Sequence, residues 1–455
     1  FFQDDAIKQL ELTNKYQSLS KVPLLIGIDG EWGLSMRLKN TVAFPYNMAL
    51  GAIRNDKLLF EVGQHMGRHM KREGVHINFA PVVDVNTNPE NPVIGNRSYG
   101  ESKENVTRKA IAFSKGIQSE NVMACAKHFP GHGDTAQDSH LTLPSVTHDV
   151  IRLDTLELYP YRKIFNEGIG AAMVAHLSVP ALEPKVNLPS SLSYNIITGL
   201  LKEKMGFKGL IVTDALNMKG SADFATSEEI NLQAILAGND LLDFPLNVVK
   251  SIELFKKSYA KGELTEARLD ESVRKILKTK YWAGLHHYVP LKAENLMTDL
   301  HTVEDDLLNR RLVENSVTLV QNKNDVLPIK NLEKNKVAYI KFGRYDNQTF
   351  VKRLNDYTKV DVITGSNLQE ISKKLQSYET VIIGFHSSYG AYASYKIDDK
   401  DVFILDDIAR NHKVILDVFA SPYTLLRIKS LENIEGVIVD GGLDGVDSLT
   451  GYFHD

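Results

Sequence analysis

From residue 4 to about residue 282 the chain alternates helix-patterned and extended apolar segments, and nearly every extended segment ends in a polar or charged residue. Apolar residues at helical spacing over 4–20 precede a dense apolar run at 23–29. Leu59, Val62, Met66 and Met70 mark one helix face before a run at 75–80, and Val106, Ala110, Phe113 and Ile117 mark another before 122–126. The alternation continues with a helix over 151–166, a strand at 171–175, a helix near 194–205, a strand at 210–213, a helix over 228–237 and a strand at 241–244. That makes six complete strands plus a stub at Phe1-Phe2. Repeated βα units require a parallel sheet, because each return crossing needs a helix. The polar residues tilt the choice toward a closed sheet. Asp29, Asp84, His128, His176 and Asp214 all fall at or just after strand ends. A barrel gathers such ends at one mouth, whereas an open sheet lines its crevice with one or two.

The expected fold class is α/β: a (β/α)8 TIM-type barrel over residues 1–282, its first strand missing from this chain, followed by an α/β (αβα) sandwich over 304–455. Residues 283–303 read as the linker. Strands of the second domain are expected at 337–342, 360–363, 381–385, 414–419 and 437–439, with helices such as 367–376 between them, while 440–455 lacks a core pattern. Two domains suit a chain of 455 residues.

A net charge of −4 announces no nucleic-acid surface. The longest apolar runs fall far short of the roughly 20 residues that span a bilayer. Cys125 is the sole cysteine, which rules out internal disulfides and a Cys-based metal site. Phe1-Phe2-Gln3 reads like the tail of a strand cut in the middle, so a lost N-terminal piece carrying a signal peptide is expected. That favours a cell-envelope, periplasmic or secreted location over a cytoplasmic one.

Residues 127–140 read Lys-His-Phe-Pro-Gly-His-Gly-Asp-Thr-Ala-Gln-Asp-Ser-His. Pro130, Gly131 and Gly133 forbid a helix, so these titratable groups are expected on a loop past a buried strand. The Asp138-Ser139-His140 spacing lets the carboxylate hold one ring nitrogen and aim the other, which suits a general acid/base, although such a triplet in isolation is more often a local turn. Asp214 ends an apolar run and is either a helix N-cap or a placed nucleophile. A metal site built from His128, His132, Asp134, Asp138 and His140 fits known ligand spacings poorly, so neither a metal nor a cofactor is expected. Asp29, Glu31, Trp32 and Arg37 follow the first full strand, and carboxylates with Arg suit a polyol. Arg97 lies on a similar loop, where a surface Arg is the plainer reading. Lys127 emerges from a core strand and needs either a salt bridge or a hydroxyl ligand. His176 ends a strand and is expected to line the pocket.

On these residues the chain resembles glycoside hydrolase family three, and within it the β-N-acetylglucosaminidases of the NagZ type. Lys-His-Phe-Pro-Gly-His-Gly-Asp-Thr followed by Asp-Ser-His is the most specific element. The resemblance covers residues 1–282 strongly, and 304–439 look like the second domain some members carry. It implies Asp214 as nucleophile, the Asp138/His140 pair as acid/base, and Asp29, Arg37, Arg97, Lys127, His128 and His176 as ligands of a terminal N-acetylglucosamine. The implied activity is exo-acting, retaining hydrolysis of oligosaccharides containing N-acetylglucosamine, peptidoglycan fragments before chitin. A glycoside phosphorylase using the same residues and a non-catalytic sugar-binding module are the alternatives. Asp-Gly-Glu-Trp-Gly departs from the family's commoner Asp-x-Glu-Gly-Gly by placing a bulky ring at Trp32.

Overall fold

Five short parallel strands, each preceded by a helix, organise the first part of the chain in a computed structural model that describes residues 4–138, 141–222, 224–387, 390, 396–429 and 431–440. Helix α1 (Ala6–Leu19) leads to β1 (Gly27–Ile28), α2 (Asp56–Arg72) to β2 (Ile77–Asn78) and α3 (Lys103–Ser119) to β3 (Met123–Phe129). Then α4 (Tyr159–Asn166) leads to β4 (Ala171–Val174) and α5 (Asn195–Lys204) to β5 (Leu210–Thr213). The sheet order is β1-β2-β3-β4-β5, all parallel. Helix α6 (Ser227–Ala237) then delivers Leu241 to a parallel bridge with Val212.

Local chemistry sets these boundaries. The Asn55 side chain accepts from the Lys57 amide at the start of α2, and Ser102 accepts from Asn105 at the start of α3. Thr226 and Glu229 form a reciprocal capping box on α6. Leu58, Leu59, Val62, Met66 and Met70 form the buried face of α2, and each such side chain fully removed from water contributes about 1.5–3 kcal/mol.

The inner face of the strand arc is lined by Ile77, Met123, Cys125, Ala171, Met173, Leu210 and Val212. Ile276, on the long helix α7 (Glu266–Trp282), packs against this cluster. Asp240 anchors α7 beside it by accepting from Ser272 and Lys275. The six extended segments expected up to residue 244 are thus present as five hydrogen-bonded strands and one bridged residue. A separate parallel pair, Asp4–Asp5 with Leu38–Lys39, was not expected.

The chain divides into two units, one of residues up to Asn47 with Asn55–Asp305, the other of Met48–Arg54 with the residues from Asp306 on. The second unit holds a mixed sheet of β6 (Thr318–Asn322), β7 (Val337–Gly343), β8 (Val360–Val362), β9 (Thr380–His386), β10 (Lys413–Phe419) and β11 (Gly436–Asp440). Its order is β8-β7-β9-β10-β11-β6, with only β6 antiparallel. The five strands expected here are all present. β6 was missed because its residues are exposed or half-buried and show no alternation to read. Alternate residues of the central strands feed two cores. One contains Ile340, Ile383 and Leu416, the other Tyr339, Ile382 and Ile415, as a sheet buried on both faces requires. Among the described residues no helix is long and apolar enough to cross a membrane.

Candidate active site

Strand β3 does not end at its small residues but runs through Lys127 and His128 to Phe129, so these two side chains leave the sheet itself rather than the loop expected there. The Lys127 amide donates to the Pro81 carbonyl at 3.1 Å, and the Val83 amide donates to the Lys127 carbonyl at 2.7 Å. This extra ladder is what prolongs the strand.

Lys127 is only 2% exposed. Its Nζ lies 3.0 Å from Asp29 Oδ1 and 2.8 Å from Glu31 Oε1. Arg97, equally buried, donates to Glu31 through Nε at 2.9 Å and Nη2 at 2.6 Å, while Arg37 Nη2 donates to Asp29 at 2.6 Å. Two carboxylates are therefore shared among three cations. Burial alone would raise both carboxyls. Lys127 and Arg37 overrule it for Asp29, and Arg97 and Lys127 for Glu31, holding both below the usual carboxylate range. Burial likewise works against the Lys127 ammonium, yet the two carboxylates hold it above its ordinary value. The loop carrying Asp29 and Glu31 is clamped by the buried Asn78 side chain, which accepts from the Gly30 amide at 3.0 Å and donates to its carbonyl at 3.1 Å.

His128 continues the network. Its Nδ1 lies 2.7 Å from Asp84 Oδ2, and its Nε2 lies 3.2 Å from Arg97 Nη2. A guanidinium can only donate, so Nε2 accepts and the ring proton faces Asp84. Asp84 also accepts the His132 amide at 2.7 Å, and although buried it stays below the usual range because of these histidines. His132 Nδ1 pairs with Thr135 Oγ1 at 2.6 Å, and burial, seconded by the nearby His128, pushes its ring down to about 4. Asp134 pairs with His148 and accepts from Thr87. His132 and Asp134 thus shape the loop.

Two glycines make that loop possible. Gly131 has φ of 137°, and a Cβ on Gly133 would stand 1.9 Å from the Val85 carbonyl oxygen. Gly133→Ala is expected to displace the segment leading to Asp138 and lower activity at least tenfold, about 1.4 kcal/mol. Kinetics on the purified variant check this, and an unchanged kcat/KM would show that the close approach is irrelevant. The Asp138 carbonyl accepts the Leu141 and Thr142 amides, each at 3.0 Å. His140 lies outside the described residues.

Across the sheet, Asp214 follows β5. Its amide donates to the Val174 carbonyl at 2.8 Å, and its Oδ1 accepts from the Ala215 amide at 2.9 Å. Burial would raise this carboxyl, but His128, His176, the Ala215 amide and Lys127 together keep it below the ordinary value. His176 is fully buried. Its Nε2 donates to the Ala215 carbonyl at 3.0 Å, so its Nδ1 accepts from Ser191 Oγ at 2.6 Å. Both ring nitrogens are engaged, and the ring fixes the turn that carries Asp214. Trp32 is half-buried, with its ring edge-on to Tyr46 at 4.7 Å.

One role and one group escaped the sequence reading. Glu31, grouped there with the polyol-suited carboxylates, is the ion-pair hub for Arg97 and Lys127, which no local pattern discloses. Asp243 follows Leu241, and burial, with Asp29 and Asp214 nearby, pushes its carboxyl up to about 7. Its position at the end of the sixth extended segment was the available signal.

Residues 3–279, more than half the chain, match the glycosyl hydrolase family 3 N-terminal domain. The chain belongs to glycosyl hydrolase family 3. It is 35% identical over 300 residues to beta-hexosaminidase A of Pseudoalteromonas piscicida, a match covering 60% of this chain and 50% of that protein. It is 31% identical over 321 residues to a beta-N-acetylglucosaminidase/beta-glucosidase of Cellulomonas fimi, covering 69% of this chain and 57% of the other. The chain thus spans about half the length of these relatives. The solved structure of a glycoside hydrolase family 3 beta-N-acetylglucosaminidase from Paenibacillus sp. str. FPU-7 superposes with a TM-score of 0.77 at 29% identity, covering 97% of this chain and 87% of that one.

Proposed function

We propose that this family 3 chain is an exo-acting, retaining β-N-acetylglucosaminidase that releases terminal β-linked N-acetylglucosamine, with peptidoglycan-derived fragments as its substrates. The observation that carries the reading is Asp214, a buried carboxylate at a strand end held below its ordinary value by His128, His176, the Ala215 amide and Lys127, the last of which is paired with Asp29 and Glu31. The names of the relatives at 29–35% identity lend the sugar. On this reading the parallel arc is the greater part of a (β/α)8 barrel and residues 1–282 are the catalytic domain.

The chemistry follows from the charges. Asp214 attacks the anomeric carbon, forming a C1–O bond as the glycosidic C1–O bond breaks, and His140 gives its proton to the leaving oxygen. His140, held by Asp138, then takes a proton from water as that water attacks C1 and frees the Asp214 carboxylate. Asp29, with Arg37 and Lys127 on its flanks, accepts sugar hydroxyl protons, while Arg97 and His128 face the ring. His176 keeps Asp214 in place.

Incubation with p-nitrophenyl N-acetyl-β-glucosaminide, with and without inorganic phosphate, tests the proposal. Free N-acetylglucosamine formed at the same rate in both is the expected result. A phosphate-dependent rate with sugar 1-phosphate as product would establish the phosphorylase instead, and tight sugar binding without turnover would leave only a binding module.

A further inference from the structure

Asp134 and His148 stand at the two ends of the loop that carries Asp138, and their side chains meet, His148 Nε2 pairing with Asp134 Oδ2. Both are half-buried. The incoming end of the loop is fastened to residues 87–91. Thr87 Oγ1 donates to Asp134 Oδ1 at 3.0 Å, Asn88 Nδ2 to the Thr135 carbonyl at 3.2 Å and Asn91 Nδ2 to the His132 carbonyl at 2.8 Å. The outgoing end is fastened elsewhere. The Val146 amide donates to the Ser178 carbonyl and the Ser178 amide to the Pro144 carbonyl, both at 2.8 Å, and Asp149 caps the next helical turn by accepting from the Arg152 amide at 2.8 Å. Asp134 and His148 thus sit on separately anchored backbone, and their contact ties one anchor to the other. Between them Ala136, Gln137, Leu141 and Thr142 are exposed, so packing does little to place this stretch.

We infer that His148 is a positioning residue, which through Asp134 holds the neck of this loop so that the acid/base pair reaches the glycosidic oxygen. The assignment rests on the glycosidase reading above, in which Asp138 and His140 are that pair. A contact across the neck of an otherwise exposed segment removes conformations the chain would sample without it. Proton donation depends on exact placement, because the donor must lie within hydrogen-bond reach of the leaving oxygen. Loss of the neck contact therefore weakens the acid and spares the rest. Among the described residues, Asp214, Asp29, Glu31, Arg97 and Lys127 share no hydrogen bond with Asp134 or His148. A half-buried pair of this kind also contributes little to global stability, so its removal leaves the fold intact.

Measuring kcat/KM of the full chain on substrates with unequal leaving groups tests this, since that quantity reports the step that breaks the glycosidic bond. Dinitrophenolate departs without a proton, whereas the sugar released from a disaccharide of β-linked N-acetylglucosamine needs one. His148→Ala is expected to lower kcat/KM on the disaccharide about tenfold, the scale of a misplaced catalytic group. On dinitrophenyl N-acetyl-β-glucosaminide the same variant is expected to stay within about twofold of wild type, because no acid is called on. His148→Gln, whose side-chain amide can still donate to Asp134, is expected to recover most of the loss. An equal fall on both substrates, an unchanged kcat/KM on the disaccharide, or His148→Gln as impaired as His148→Ala would overturn the assignment. A wild type that cleaves neither substrate would instead defeat the function proposed above, and this role with it.

Discussion

Asp214→Ala is expected to lower kcat on p-nitrophenyl N-acetyl-β-glucosaminide by about 10³-fold or more, equivalent to about 4 kcal/mol of barrier. Ala leaves no oxygen to bond the anomeric carbon and no charge to balance its developing positive character. The fold should survive. The Asp214 amide still donates to Val174, and what is lost inside the site is one bond from Ala215 and a carboxylate whose burial was itself unfavourable. The variant therefore offers a second readout. Added azide fits the vacated space and attacks from the same face as the missing carboxylate, giving the α-glycosyl azide. Turnover close to wild type would remove Asp214 from the nucleophile's role.

Glu31→Gln is expected to destabilise the first unit by about 3–5 kcal/mol, the usual result of breaking a buried ion pair from one side. Glu31, Lys127 and Arg97 are 1%, 2% and 5% exposed, so neither cation can turn to solvent when the carboxylate goes. Arg97 loses a two-pronged partner, and Lys127 keeps only Asp29. The amide oxygen can accept at most two bonds in place of three, its NH2 would face a donor, and it carries no charge. KM should rise with stability lost, because Arg97 and Lys127 would swing toward whatever anion remains, which is Asp29. Both tryptophans, Trp32 and Trp282, lie in the first unit, so fluorescence during urea unfolding reports that unit alone. A shift of less than about 0.5 kcal/mol, the range of an ordinary surface substitution, would mean the pairing is not what holds these cations.

The fold was readable where apolar periodicity is strong. α2 and α3 and the second unit's central strands fall close to where their apolar positions place them, because burial on one helix face or both sheet faces leaves a pattern in the chain. It was unreadable where geometry rather than hydrophobicity decides. The exposed strand β6 and the pairing of Asp4–Asp5 with Leu38–Lys39 carry no alternation, and the extension of β3 through two charged residues depends on a ladder from Pro81 and Val83.

The site divides in the same way. Strand ends drew attention to Asp29, His128, His176 and Asp214, because parallel sheets gather polar groups past the C-terminal ends of their strands. Partnerships were invisible. Glu31 and Arg97 are 66 residues apart, and Asp84 and His128 are 44 apart, distances over which no spacing rule operates. His176, expected among the sugar ligands, spends both ring nitrogens on Ser191 and Ala215. Asp243 sat at a strand end like the others, but a single bridged residue, Leu241, gave that strand too weak a pattern to draw attention to its terminus.

A double displacement through a covalent ester of Asp214 inverts the anomeric carbon twice, so that ester can form only if the first product keeps the configuration of the substrate. Proton NMR during the first minutes of p-nitrophenyl N-acetyl-β-glucosaminide hydrolysis, before mutarotation, should show the β-anomer of N-acetylglucosamine appearing first. The α-anomer appearing first would mean that water attacks the anomeric carbon directly and that Asp214 is not the nucleophile.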